Sequence, residues 1–288
     1  MGIPLVTIEY LEIRKQPYIV LFLREGKNRV KKIIRDLEGK PIIVRSSSLL
    51  EDSFGAAFSG KYKSLFVANT GTEEERLFSL MDAISEVYAS IFGPDPIEYR
   101  RERGLLDFSE EMGILIQEVV GLNVGHYFTP VFGGVAFSQN EFQWSPRVQR
   151  EDGMLRLVPG LGTRAVDRVG SDYPILVSPK KPKLQVNALV SEKIQYSPKF
   201  MDVINLKSGA IETVDAIEFL KEFSEDFPNI NQIVSIHKDG RLTNPPSILL
   251  NPKESDIIIT FSTLFEKTTF LEQMKQILVL LENKNRGS

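Results

Sequence analysis

The chain has 288 residues, no cysteine, 42% hydrophobic and 25% charged residues, and a formal net charge of -3. That is enough for one large domain or two smaller ones around a sizeable core, and it excludes wholesale disorder and a collagen-like fibre. Without cysteine there is no disulfide framework, thiolate nucleophile or cysteine-based metal site. A reducing, cytoplasmic setting fits this usage. The near balance of charge gives no reason to expect nucleic acid or an anionic membrane as partner.

Residues 1–15 lack the basic start and apolar core of a signal peptide. Gly2 is followed by Val6, where myristoylation needs Ser or Thr. The longest uncharged run, Val119 to Asn140, is interrupted by Asn123, His126, Pro130 and four glycines. It reads as two buried strands, because a spanning helix needs a nearly unbroken apolar run.

In chain order, Arg29 to Leu37 has the spacing of a short amphipathic helix, and Pro41 to Val44 that of a β-branched strand ending at Arg45. Thr72-EE-Glu75 makes a capping box for a helix whose apolar positions run from Leu77 to Ile91, stopped by Gly93-Pro94. Ile97 to Arg103 starts a charged helix. Ile114 to Val120 and Tyr127 to Phe137 read as strands. Gln139 to Lys183 is loop-rich and locally basic: Arg147, Arg150, Arg156, Arg164, Arg168, Lys180, Lys181 and Lys183 outnumber their acidic neighbours. The opposite bias follows in Glu212 to Asp226. A DGR turn is expected at Lys238 to Arg241. The chain closes with a strand, Asp256 to Phe261, and a helix from about Thr263. Thr263-LF-Glu266 is read as its capping box, with Leu271, Met274, Ile277, Leu278 and Leu281 as its buried stripe.

Several site patterns are excluded. His126 and His237 are the only histidines and stand far apart, which argues against zinc. His126 reads as a core or edge residue. There is no G-x-S-x-G elbow, Walker A loop or G-x-G-x-x-G. The informative stretch is PIIVRSSSLLEDSFGAAFSG, residues 41–60. A strand delivers Arg45, then the hydroxyls of Ser46, Ser47 and Ser48, an acidic pair, and a loop with Gly55 and Gly60. Arginine offers a permanently charged fork to phosphate oxygens, serines can donate to the same oxygens, and glycines let backbone approach them. A polar turn closed by a buried Arg–Glu pair reads equally well from these residues alone.

The run V-R-S-S-x-x-x-E-D-x-x-G-A-x-F-S-G resembles the signature of the N-terminal ATP-binding domain of phosphoenolpyruvate synthase and pyruvate phosphate dikinase. Further pieces follow in the family's order: YASIFGPDPIEYRRERG (88–104), ILIQEVVG (114–121), GVAFS (134–138) and VPGLGTRAVDRVGSDYP (158–174). Together they cover roughly Ile33 to Leu281.

The resemblance implies an α+β, ATP-grasp-like fold of two lobes, here incomplete at both ends. It divides the chain into residues 1–40 without a clear counterpart, a serine- and glycine-loop lobe with a basic lid (41–185), and a C-terminal α+β portion (186–288). By the same resemblance Arg45 and Ser46 contact ATP phosphates and Gly55 to Gly60 form the loop over them. Arg100 or Arg101 is the second phosphate arginine. Gln117, Glu118 and Val119 line the adenine slot with backbone groups. ATP and Mg²⁺ are the expected cofactors, without a metal ligand identified in this chain. The expected activity is phosphoryl transfer from ATP to a carrier histidine and on to pyruvate. The phosphohistidine and pyruvate-binding domains would be partners in a longer chain.

Departures from the pattern lead to an expectation that this chain alone is inactive. The glycine-rich loop with its phosphate-binding lysine has no counterpart ahead of Ile33. Thr163 replaces the acid of the G-L-G-E element. The D-I-E and L-L-Q-x-R strands expected after the last helix are absent from the sequence. A non-catalytic nucleotide-sensing domain of the same fold is the alternative, and a carboxylate–amine ligase a more distant one.

Overall fold

The computed structural model describes residues 30–48, 61–107, 111–166, 172–244 and 250–286. These fall into two compact units, one reaching Val120 and including Ile204–Ile211, the other comprising Gly121–Val203 and the chain from Glu212 onward. The boundary expected near residue 185 falls inside the second unit. The basic region supplies two strands of a sheet there.

The first unit contains helix α1 (30–36), strands β1 (Ile42–Ser48) and β2 (Ser64–Val67), helices α2 (Glu73–Ala89) and α3 (Pro94–Glu102), and strand β3 (Met112–Glu118). The strands form one antiparallel sheet in the order β2-β1-β3. Strand alternation sends Ile42 and Val44 to one face, where they pack with Leu77, Leu80, Ile84 and Val87 of α2. Burying each such side chain contributes about 1.5–3 kcal/mol, so this contact holds the unit together. Asn69, in the left-handed conformation, donates from its amide to the carbonyls of Leu37 and Lys40 at 2.6 and 3.0 Å. It thereby satisfies acceptors left over where α1 ends.

The capping box of α2 forms as expected. Glu75 N–H donates to Thr72 Oγ1, and Thr72 N–H and Oγ1–H both donate to the Glu75 carboxylate at 2.8 Å. Those two donors hold the Glu75 carboxyl below the usual carboxylate range. A depressed carboxylate stabilises the fold above its unfolded pKa and loses that effect as pH falls through its folded pKa. Thr72→Ala removes the N-cap acceptor and should cost about 1 kcal/mol at neutral pH. Thermal melts of parent and variant should differ at pH 7, and the gap should narrow as pH falls, leaving the non-titrating bond from Glu75 N–H to Thr72 Oγ1 as the residual difference.

The second unit is built from β4 (Leu122–Val124), β5 (Tyr127–Thr129), β6 (Phe132–Phe137), β7 (Met154–Pro159), β8 (Ile175–Val177) and helix α4 (Val190–Gln195). Strands β9 (Phe200–Asn205) and β10 (Ile211–Asp215), helix α5 (Ala216–Glu222), and strands β11 (Val234–Lys238), β12 (Arg241–Thr243) and β13 (Ile257–Ile259) follow. Helices α6 (Ser262–Lys267) and α7 (Phe270–Arg286) close it. Three sheets result, ordered β10-β9-β5-β4, β6-β7-β8 and β12-β11-β13. The run expected to hold two strands holds three, because the turn at Gly125-His126 and Pro130 divide it. One apolar cluster joins these elements, among them Leu155, Met201, Leu220, Ile233, Ile257 and Phe261. Tyr127 packs edge-on against Phe219 and Phe223, and burial followed by the Glu212 and Glu222 carboxylates pushes its hydroxyl pKa up.

Two C-terminal expectations need correction. Thr263 does not cap α6; Phe261, at φ 55°, is its N-cap and makes no side-chain cap bond. Thr268 is extended and ends α6, so the expected single helix is two. In the stripe Leu271 and Leu278 are buried, whereas Ile277 is 46% exposed. Leu281 lies outside the described side chains. No helix of the described residues is long and apolar enough to cross a membrane.

Candidate functional site

Strand β1 does not stop at Arg45 but continues through the serines to Ser48. Arg45 lies opposite Ser64 on β2 and Leu115 on β3, and Gln117 lies opposite Ile43. Directly opposed residues share a face, so Arg45, Ile43, Leu115 and Gln117 project to the same side, with Arg45 and Gln117 as diagonal neighbours. That side is the one α2 does not cover. Arg45, Ser47 and Gln117 are exposed there beside half-buried Ile43 and Phe66 and a partly exposed Leu115. A cation and a carboxamide thus rise from an apolar floor. Arg45 makes no ion pair with a described residue.

Alternation separates the serines. Ser47 shares the face of Arg45, while Ser46 and Ser48 point to the α2 side, where Ser48 is buried. Of the three hydroxyls expected beside the guanidinium, only that of Ser47 is on its face. Gly55 and Gly60 lie outside the described residues.

Backbone groups sort in the same manner. Val119 N–H donates to Pro41 O at 2.8 Å, so the pair Pro41–Val119 is hydrogen-bonded. In an antiparallel pair every second residue faces its partner strand, so Gln117 and Leu115 also spend their backbone groups on β1. Glu118 and Ile116 instead direct theirs outward, along the edge of β3 that no described strand pairs. Val119 is buried and its N–H engaged, while the Glu118 carboxylate pairs with Lys40 at 2.9 Å. Of the three residues expected to read a base, Glu118 is the one with its backbone N–H and C=O on the open edge.

The two α3 arginines differ. Arg100 is buried and donates to Ile91 O at 2.7 Å, clamping α3 to the preceding turn; its Nε has no partner among the described residues. Arg101 is exposed and pairs with Glu98 at 2.7 Å. Sequence reasoning missed another cationic group on this helix. Arg103 lies 4.7 Å and the Lys61 ammonium 5.5 Å from the ring centre of Tyr99, which is clustered with Tyr62 and Met112 at the Ser48 end of β1. The aromatic residue at 99 with basic residues at 61 and 103 was the available signal, but 61 and 103 are brought together only by the fold. Among the described residues no three His, Asp or Glu side chains converge as a metal site would require.

Residues 12–283 match the family model of the pyruvate phosphate dikinase AMP/ATP-binding domain. The chain belongs to this family. The match begins within the first forty residues, for which no counterpart was read, and takes in all the pieces that carry the resemblance. No curated protein matches the chain.

Gly160 and Gly162 have φ of 78° and 84°, and a Cβ on Gly133 would stand 2.8 Å from Gly162 backbone atoms. The two glycine pairs are therefore packed backbone to backbone. Thr163 donates to Asp202, whose other oxygen accepts from Thr213 at 2.6 Å. Arg164 donates to Asp172 at 2.8 Å and stands 3.6 Å from Asp202. The second Asp172 oxygen accepts from Lys199 N–H at 2.7 Å. The turn is thus fixed by a buried ionic network.

The basic region is largely consumed in the same unit. Arg150 pairs with Glu141, Arg156 covers the Phe137 ring, Lys180 donates to Glu151 O, and Lys181 reaches Asp152 and Arg147 O. Arg168 lies outside the described residues. Most of the charges expected to form a lid over a polyanion hold loops of their own unit together.

Proposed function

We propose that this chain binds ATP on the open face of the β2-β1-β3 sheet, as an ATP-grasp-type module of a phosphoenolpyruvate-synthase-like phosphotransferase. Arg45 receives phosphate oxygens, Ser47 adds a hydroxyl donor, and Gln117 and the outward backbone groups of Glu118 meet the base. The single observation that carries this reading is the common face of Arg45 and Gln117, with the guanidinium exposed and paired with no carboxylate among the described residues. The exposure of Arg45 speaks against a buried Arg–Glu pair, the other reading of the same residues, whose acidic members Glu51 and Asp52 lie outside the described residues. Arginine remains charged at every relevant pH, and its fork matches the geometry of phosphate oxygens.

Bound ATP supplies the phosphoryl group; the residues of this chain bind and orient it. In that reading a carrier histidine on another domain receives the phosphoryl group and passes it to pyruvate. The described residues offer no cluster suited to Mg²⁺, and no step is assigned to a metal here. Thr163, which is bonded to Asp202 where the resemblance leads one to expect an acid, supports a nucleotide-sensing role as the second reading.

Hydrogen–deuterium exchange with and without ATP tests the location. Slower exchange is expected at residues 43–47 and 113–118, with the β11–β12 hairpin unchanged. Protection confined to other segments would place the nucleotide elsewhere.

A further inference from the structure

The second unit contains a half-open cavity of about 680 Å³ lined by β8, the loop 182–187, α4, the end of β13 and α6. Its size is that of a small-molecule site, far above ordinary packing defects. Its walls are aromatic and aliphatic: Phe142, Tyr173, Leu176, Val186, Tyr196 and Phe265 contribute, with Tyr173 and Tyr196 edge to face at 5.2 Å. The walls are also held in place. The Trp144 indole donates to Leu184 O at 2.7 Å, fixing the loop, and the Glu192 carboxylate accepts from Ala188 and Leu189 N–H, fixing the start of α4.

Lys183 and Lys193 also line the cavity, against Glu266 as its carboxylate. Neighbouring Lys180, Lys181 and Lys199 all donate to protein oxygens. The ammonium groups of Lys183 and Lys193 make no such bond with a described residue. An apolar, pre-formed cavity bordered by two cations that no described residue pairs selects a ligand with a flat apolar body and an anionic end.

We propose that this cavity is a second ligand site, taking an amphipathic organic anion whose carboxylate, sulfonate or phosphate reaches Lys183 and Lys193. The proposal is independent of the nucleotide reading, since none of the lining residues belongs to the sheet that carries Arg45.

The probe is 1-anilinonaphthalene-8-sulfonate, titrated by fluorescence into the folded chain. One saturable site is expected, displaced by dodecanoate and not by ATP. Lys183→Glu with Lys193→Glu should weaken it at least tenfold, Val186→Trp should fill the cavity and abolish it, and Arg45→Ala should leave it unchanged. Circular dichroism of each variant confirms folding, and the lysine pair, being at the surface, supplies the test if Val186→Trp does not fold. Multiple weak sites, or equal affinity in the folded lysine variant, would overturn the proposal. Displacement by ATP or loss in Arg45→Ala would overturn its independence from the nucleotide site.

Discussion

Arg164→Leu should be the most destabilising single charge removal in the second unit. The guanidinium lies between Asp172 and Asp202, and the three side chains are 9%, 4% and 12% exposed. Taking the cation away leaves two carboxylates out of water, facing each other, with only neutral donors to hold them. Breaking a buried ion pair from one side costs about 3–5 kcal/mol. For a unit of this size that corresponds to a fall in Tm of roughly 6–20 °C. Arg150→Leu removes an exposed pair with Glu141 and should cost no more than about 1 kcal/mol. Scanning calorimetry of the two variants separates them. Equal losses would mean that the network around the glycine turn is not what holds it.

Much of the first unit was legible in the sequence because its signals are local. Thr72 and Glu75 lie one helical turn apart, so the capping box could be read directly and is found. The same four-residue pattern at Thr263 failed. There Phe261 takes the left-handed conformation with its ring buried against Phe132 and Phe265, and the helix starts one residue before the expected cap. Packing of one aromatic side chain overrode a propensity worth about 1 kcal/mol. Similarly, Ile277 fits the periodic stripe, yet α7 buries only the narrower face that carries Leu271 and Leu278.

The candidate site was legible in its residues but not in its faces. Motif order brought Arg45 and Gln117 to attention, and register then placed them side by side. Ending β1 at Arg45, instead of at Ser48, hid the alternation that turns Ser46 and Ser48 away. The engaged N–H of Val119 follows from its pairing with Pro41, a long-range register that one strand's composition does not encode. Charge counting did not reveal the partners of the basic region for a related reason. Arg164 and Lys181 look like a polyanion lid in one dimension, and in three they find Asp172, Asp202 and Asp152. The Lys61–Tyr99–Arg103 stack needed the fold altogether, since its outer members are 42 residues apart in the sequence.

Titration calorimetry of ATP into the parent chain and Arg45→Ala tests the central assignment most directly. A charge-assisted hydrogen bond contributes about 1.5–3 kcal/mol, so the variant should bind roughly ten- to a hundredfold more weakly. Its melting temperature should stay at the parent value, because Arg45 is exposed and holds no described carboxylate. Arg241→Ala, in the β11–β12 turn, should match the parent in both respects. Equal ATP affinity in parent and Arg45→Ala would remove Arg45, and with it this face of the sheet, from the nucleotide site.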